Sequence, residues 1–133
     1  MRINKLYKTE KLCSKREIEQ LYSQGASVIA YPLRAVWLAV PCDNMGPRVA
    51  ARFLVSIPKK RVRHAVDRVL LRRRTREAYR LNRQLLADVT AQNKTLLIGF
   101  NWVARDKHSY ATIQRSMQTL LSTIAAASSS QQL

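Results

Sequence analysis

The sequence is poor in acidic residues, in cysteine and in long apolar runs, and each shortage excludes a class of protein. Its 8 Asp and Glu are scattered, so the paired carboxylates of a two-acid catalytic site are not expected. Cys13 and Cys42 have no second cysteine or histidine at a zinc-binding spacing, which indicates reduced or inert thiols. No apolar stretch approaches the ~18 residues of a membrane span or forms the apolar part of a signal peptide. These shortages predict a soluble cytoplasmic protein without a catalytic site of its own.

What the sequence has in excess is positive charge. It contains 24 Lys and Arg, which give a net charge of +16 over 133 residues. Eleven of these cations fall within residues 57–83, where Asp67 and Glu77 are the accompanying acids. Because so much like charge repels itself in a folded monomer, a polyanionic partner is expected.

Hydrophobic periodicity predicts an α+β sandwich, in which a small mixed β-sheet packs against helices. Alternating or continuous apolar residues predict strands at 28–40, 48–57 and 95–103, and the turn-forming residues 41–47 are typical of a hairpin between the first two. The predicted order is α-β-β-(β)-α-β-α. The strand in parentheses stands for a short strand that the pattern does not reveal.

Three helices complete this prediction. Ser14 and Glu17 form a capping box that starts a helix near residue 15, and Gly25 is predicted to end it in the left-handed conformation. A long helix is predicted over residues 65–87. A last amphipathic helix is predicted to pack on the sheet through Ile113, Met117, Leu120, Leu121 and Ile124.

These elements form one predicted domain over residues 1–126. Residues 1–11 show no period and are expected to be a loose basic arm. Residues 127–133 contain nothing to bury and are expected to be a disordered tail.

The long helix has two different faces on a helical wheel. At about 100° per residue, its apolar arc contains Leu70, Leu71, Ala78, Leu81, Leu85 and Val89. The opposite arc contains Arg68, Arg72, Arg73, Arg76, Arg80 and Arg83. Arg74 falls within the apolar arc and is expected to extend its stem along the core with its head outward.

Four environments for this arginine arc can be compared. A solvated face normally has acids at i+4, and this arc has none. Anionic lipid would require the apolar face that the sheet needs, and a DNA major groove would require a second short helix to orient the long one. RNA held by its backbone and shape fits best, since arginine suits forked contact with phosphate.

With this basic loop and helix, the sequence resembles the protein subunit of bacterial ribonuclease P. That family has two lysines, a short loop and then A-V-x-R-N-R-x-(K/R)-R-x-x-R-(E/Q)-A-(F/Y), and residues 59–79 read KKRVRHAVDRVLLRRRTREAY. The matching positions include Arg68, Arg72, Arg73, Arg76, Ala78 and Tyr79. The resemblance covers nearly the whole chain except the tail.

The resemblance implies a ribosomal S5 domain 2-like fold with a left-handed βαβ crossover through the motif helix. It also implies a large RNA that hydrolyses precursor tRNA with Mg²⁺ held by RNA and phosphate, helped by a protein that binds this catalytic RNA and the 5′ leader. The basic positions carried over or adjacent to them are Lys59, Lys60, Arg61, Arg63, Arg68, Arg72, Arg73, Arg76 and Arg80. A monomer in a 1:1 complex with the RNA is expected, without DNA or membrane as partner.

The resemblance further implies a cleft between the first helix and the sheet for the single-stranded leader. The matching positions are Ile18, Tyr22 and Val36, of which Tyr22 alone is aromatic. Tyr22 can stack on a base or pack as a core residue, and the sequence leaves both open. Trp37 is expected on the opposite face of the sheet.

Two departures from the family motif stand within the helix. Val69 and Leu70 replace the Asn and the second Arg of the R-N-R core, and Arg63 replaces a loop glycine. Arg61 and Arg63 are hypothesised to supply phosphate contacts in return. The competing hypothesis for the chain is a structural ribosomal-type protein or RNA chaperone with a similar basic helix.

Overall fold

The structure of the chain is a computed structural model, which describes Leu12 and residues 15–41, 51–86 and 94–130. Its elements are α1 (Lys15–Gln24), β1 (Ala26–Ala30), β2 (Leu33–Pro41), β3 (Ala51–Ser56), α2 (Ala65–Asn82), β4 (Lys94–Trp102) and α3 (Tyr110–Ser130). A 3-10 turn, Arg83–Leu86, continues α2. The predicted order is confirmed, with β1 as the additional short strand. The predicted arm, Ser14, both cysteines, Val89 and residues 42–47 of the predicted hairpin lie outside the described residues.

The four strands form one mixed sheet in the order β1-β2-β4-β3. β1 and β4 are both antiparallel to β2, whereas β3 runs parallel to β4. The predicted hairpin between the strands at 28–40 and 48–57 is therefore wrong, because β4 lies between β2 and β3. β4 takes this central position since its side chains are apolar on both faces; Leu96, Leu97, Ile98 and Phe100 are all fully buried.

The strand predicted at 28–40 is also wrong as a single element. It divides into β1 and β2 at a turn formed by Tyr31 and Pro32. Proline lacks the N–H that a continuing strand would donate, so the chain folds back at this point and β2 pairs with β1.

Side chains alternate between the two faces of the sheet. Ala35, Trp37 and Phe100 point into the main core, which α2 and α3 cover. Val36 and Leu97 point the other way, into a second cluster beneath α1. The expectation that Trp37 lies on the face opposite to Val36 is confirmed.

The last helix, α3, covers the main core as predicted. All five residues of its predicted apolar face are fully buried: Ile113, Met117, Leu120, Leu121 and Ile124. The helix extends to Ser130, four residues into the segment predicted as a tail from 127 onward. Ala125 and Ala127 are half-buried against the core, and alanine has the highest helix propensity, so the helix continues.

Gly25 ends α1 for a reason other than the predicted one. Its backbone is not in the left-handed region. A Cβ at this position would lie 2.4 Å from the carbonyl oxygen of Leu21 and 2.9 Å from that of Trp37. Glycine is needed because α1 and β2 approach too closely for a side chain.

The buried face of α2 is rotated by about 70° from the predicted apolar arc. The side chains that are buried are Leu71, Thr75, Ala78, Tyr79 and Asn82, whereas Leu85 is 39% exposed. Thr75 and Asn82 can be buried because each donates to the carbonyl oxygen four residues earlier, at 2.8 Å. Tyr79 stacks on Phe53 of β3 with 4.2 Å between ring centroids. This rotation brings Arg73 to the centre of the exposed side.

Candidate nucleic-acid interface

A basic loop, residues 58–64, joins β3 to α2. Ile57 and Val62 are each 5% exposed and anchor the loop in the core. The backbone amides of Arg61 and Val62 donate to the carbonyl oxygen of Pro58 at 3.0 and 3.1 Å, which closes a turn. The turn directs the basic side chains outward, and those exposed are Lys59, Lys60, Arg61 and Arg63.

Two arginines hold this loop in place. Nη1 of Arg68 donates to the carbonyl oxygens of Val62 and Arg63, at 3.0 and 2.9 Å. Nη1 of Arg61 donates to the carbonyl oxygen of Val103 at 3.0 Å. Both guanidinium groups therefore shape the loop as well as adding to its charge. The hypothesis that Arg61 and Arg63 supply phosphate contacts stays a prediction.

The cationic face of the protein consists of the exposed loop lysines and arginines together with Arg72, Arg73 and Arg76 of α2. Arg72 and Arg73 are exposed, and Arg76 is half-buried. Ion pairs in the described part of the chain join Arg52 with Glu17, Arg80 with Glu77 and Lys107 with Asp67. Within that part, none of the three α2 arginines pairs with a carboxylate. Their guanidinium groups are available for phosphate.

Arg80 and Arg74 differ from these three arginines. Nε of Arg80 donates to Oε2 of Glu77 at 3.1 Å, and this bond holds the pKa of Glu77 below its usual value. Arg74 is half-buried, and its Nη1 donates to the carbonyl oxygen of His108 at 2.9 Å. Its head thus reaches the loop before α3, so its charge is directed away from the cationic face.

The part of the chain that the structure describes contains neither a metal-binding cluster nor a membrane-spanning helix. No three His, Cys, Asp or Glu side chains among its residues are grouped to hold a metal ion. Within the same residues, every helix is too short or too polar to cross a membrane. The two histidines have separate surroundings: His64 is exposed before α2, whereas His108 contacts the rings of Tyr31 and Trp102.

A second candidate surface lies between α1 and the other face of the sheet. Tyr22 of α1 is 44% exposed, and its hydroxyl donates to Oδ1 of Asn101 at 3.0 Å. A Cβ on Gly99 would lie 2.6 Å from that hydroxyl, so the phenol rests directly on the backbone of β4. Partial burial raises the pKa of the Tyr22 phenol above its ordinary value. The bond to Asn101 and the backbone of β4 beneath the ring hold Tyr22 as a half-open aromatic platform.

The other two residues predicted for the cleft lie on the same side of the sheet but are less accessible. Val36 is 4% exposed and lies beneath α1. Ile18 is half-buried and packs on the same cluster. Tyr22 is therefore the one member of the predicted trio whose side chain is more than one-third exposed.

Sequence reasoning missed two polar residues beside Tyr22. Arg34 of β2 and Asn101 of β4 are partners in the sheet register, on the face that carries Val36 and Gly99. Arg34 is exposed, and its charge acts on the Tyr22 hydroxyl. The signal was present, because each is a polar residue that interrupts a run of apolar residues in its strand. We call Tyr22, Arg34 and Asn101 the Tyr22 shelf.

Comparisons with known proteins identify the family of the chain. A family model described as Ribonuclease P matches residues 6–125. The ribonuclease P protein component of a Porphyromonas gingivalis strain is 39% identical over 124 residues, which cover 90% of this chain and 86% of that protein. The counterpart from Chlorobaculum tepidum is 34% identical over 90 residues, 68% of this chain and 58% of that protein.

Solved structures share the fold. The RNase P protein of Staphylococcus aureus superposes with a TM-score of 0.62 at 20% identity, covering 86% of this chain and 94% of that one. The RNase P protein of Thermotoga maritima gives a TM-score of 0.61 at 16% identity, covering 86% of this chain and 96% of that one. At these identities the likeness concerns the fold alone.

Proposed function

Because the chain belongs to the ribonuclease P protein family, and so acts as a subunit of RNase P in tRNA 5′ processing, we propose that it binds the catalytic RNA through its cationic face. One observation carries this proposal. Arg72, Arg73 and Arg76 lie on one helix, next to a basic loop, without carboxylate partners among the described residues. Phosphate oxygens of a folded RNA are the acceptors that such forked donors fit.

We further propose that the Tyr22 shelf receives the single-stranded 5′ leader of precursor tRNA. An exposed aromatic ring offers a stacking surface to an unpaired base, and the exposed Arg34 beside it offers charge to the backbone. Asn101 holds the ring in place from below. The family resemblance implied a cleft formed by Ile18, Tyr22 and Val36. The site proposed here has one aromatic stacking surface, Tyr22, and one flanking cation, Arg34.

Hydrolysis in this proposal belongs to the RNA subunit. Mg²⁺ would be held by RNA and phosphate oxygens, which are the hard ligands that this cation prefers. The protein would position the two RNAs. It would act in the cytoplasm as a monomer bound 1:1 to the catalytic RNA.

The experiment that tests this function is a cleavage assay. The purified protein is added to its organism's catalytic RNA and a precursor tRNA at low Mg²⁺, where release of the 5′ leader is measured. Restored cleavage supports the proposal. The competing function, a structural ribosomal-type protein or RNA chaperone, is not favoured by the family match, and it predicts RNA binding without restored cleavage.

Replacing Tyr22 with alanine should weaken leader binding without weakening binding to the catalytic RNA. Loss of one base–aromatic stack is worth about 1–3 kcal/mol, or roughly 5- to 150-fold in affinity. Affinity for precursor tRNA with and without a leader is measured on the complex. Tyr22→Phe keeps the ring but loses the bond to Asn101, so a smaller loss is expected.

Tyr31 offers a matched control for this experiment, since it is a tyrosine that is 60% exposed on the opposite side of the sheet, against α3. Tyr31→Ala should leave leader binding unchanged. Equal losses for Tyr22→Ala and Tyr31→Ala would contradict the role of the shelf.

A further inference from the structure

Two apolar side chains stand in the middle of the cationic face. Val66 is 79% exposed and Val69 is 51% exposed, and they lie three residues apart on α2. Residues at i and i+3 are neighbours on a helix surface, so the two valines form one small apolar patch, which we call the valine step. Arg72 and Arg73 follow at the next turn, and both are exposed.

This valine step is unfavourable for the free protein. β-branched residues have lower helix propensity than alanine, and burial of neither side chain offsets that loss here. Valine also brings no charge to a face otherwise built from cations. The step would gain free energy only against a surface that is itself partly apolar.

RNA offers such a surface at ribose carbons and at the faces of unstacked bases. The cations around the valine step favour a polyanion as the partner. If these cations bind neighbouring phosphates of the RNA, the ribose or base between those phosphates lies opposite the valines. We infer that Val66 and Val69 form an apolar contact with a ribose or an unstacked base of the RNA that binds the cationic face. This contact adds affinity that does not depend on salt. The inference rests on the proposed function of α2.

The test uses the double variant Val66→Thr, Val69→Thr in the full-length chain. Threonine keeps the branched shape and the charge but replaces one exposed methyl with a hydroxyl at each position. Binding of the transcribed catalytic RNA is measured by fluorescence anisotropy at several salt concentrations. We expect about 10-fold weaker binding at every salt concentration, with an unchanged slope of log affinity against log salt.

A matched control is Ile29→Thr, which also converts an exposed β-branched residue. Ile29 is 66% exposed on β1 and pairs with Arg34, on the face of the sheet away from α2. It should leave binding of the catalytic RNA unchanged. Unaltered thermal unfolding of both variants shows that the fold is intact.

Two results would overturn the inference. One is wild-type affinity in the double threonine variant; the other is tighter binding by Val69→Asn, which replaces the apolar contact with a polar one. If the wild-type chain itself shows no salt-dependent binding to the catalytic RNA, the proposed function fails instead. The two failures are thus distinguishable in one titration series.

Discussion

Replacing Arg72, Arg73 and Arg76 together with alanine is expected to weaken binding of the catalytic RNA by roughly 1000-fold or more. Each arginine loses a charge-assisted contact worth about 1.5 kcal/mol or more when its partner is phosphate. The slope of log affinity against log salt should become shallower by about 2 to 3, since about three fewer counterions are released. Both quantities come from one salt titration of affinity.

The fold should tolerate this triple substitution. The arginines have no carboxylate partners among the described residues, and like charges four apart destabilise a helix by about 0.2–0.5 kcal/mol. A matched control removes three exposed arginines elsewhere, Arg16, Arg105 and Arg115, for the same change in net charge. If this control variant loses as much affinity, the effect depends on total charge and the assigned face is wrong.

The charge pattern predicted the cationic side of α2, because the helical spacing of arginines can be recognised without knowing which elements the helix packs against. The core side was predicted less well. A hydrophobicity pattern treats Thr75 and Asn82 as surface residues, yet both bury by bonding to carbonyls of their own helix. Such local bonds depend on side-chain rotamers that composition does not reveal.

The sheet order shows a second limit of the sequence. The alternation of apolar side chains located β2 and β3 along the chain, but it does not show which strands are neighbours in the sheet. The apolar character of both faces of β4 was visible and indicated a buried strand. Taking that as a central position would have separated β2 from β3 and removed the predicted hairpin.

The candidate functional residues divide in the same way. The exposed arginines were found from spacing, whereas the use of Arg68 to fasten the basic loop depends on two carbonyl oxygens that only the fold brings near. Arg34 and Asn101 were missed because their relation to Tyr22 is a matter of strand register. Local pattern predicted the charges, and tertiary structure decided their partners.

Replacing Gly25 with alanine is expected to destabilise the fold by about 3 kcal/mol. The new Cβ would meet two backbone carbonyl oxygens within 2.9 Å, and also Cγ1 of Val36 at 2.8 Å. Backbone atoms of α1 and β2 cannot move aside without loosening the second cluster. For a domain of this size the midpoint of thermal unfolding should fall by about 10 °C or more.

Gly99→Ala is the matched comparison, because its Cβ would meet the end of a side chain, the Tyr22 hydroxyl at 2.6 Å. Tyr22 can swing outward, so the unfolding midpoint should change little, while leader affinity falls as it does for Tyr22→Ala. The two variants thus distinguish Gly25, which the packing of two backbone segments requires, from Gly99, which the position of the Tyr22 ring requires. A large loss of stability in Gly99→Ala, or none in Gly25→Ala, would show that the approach of α1 to the sheet differs from the one described.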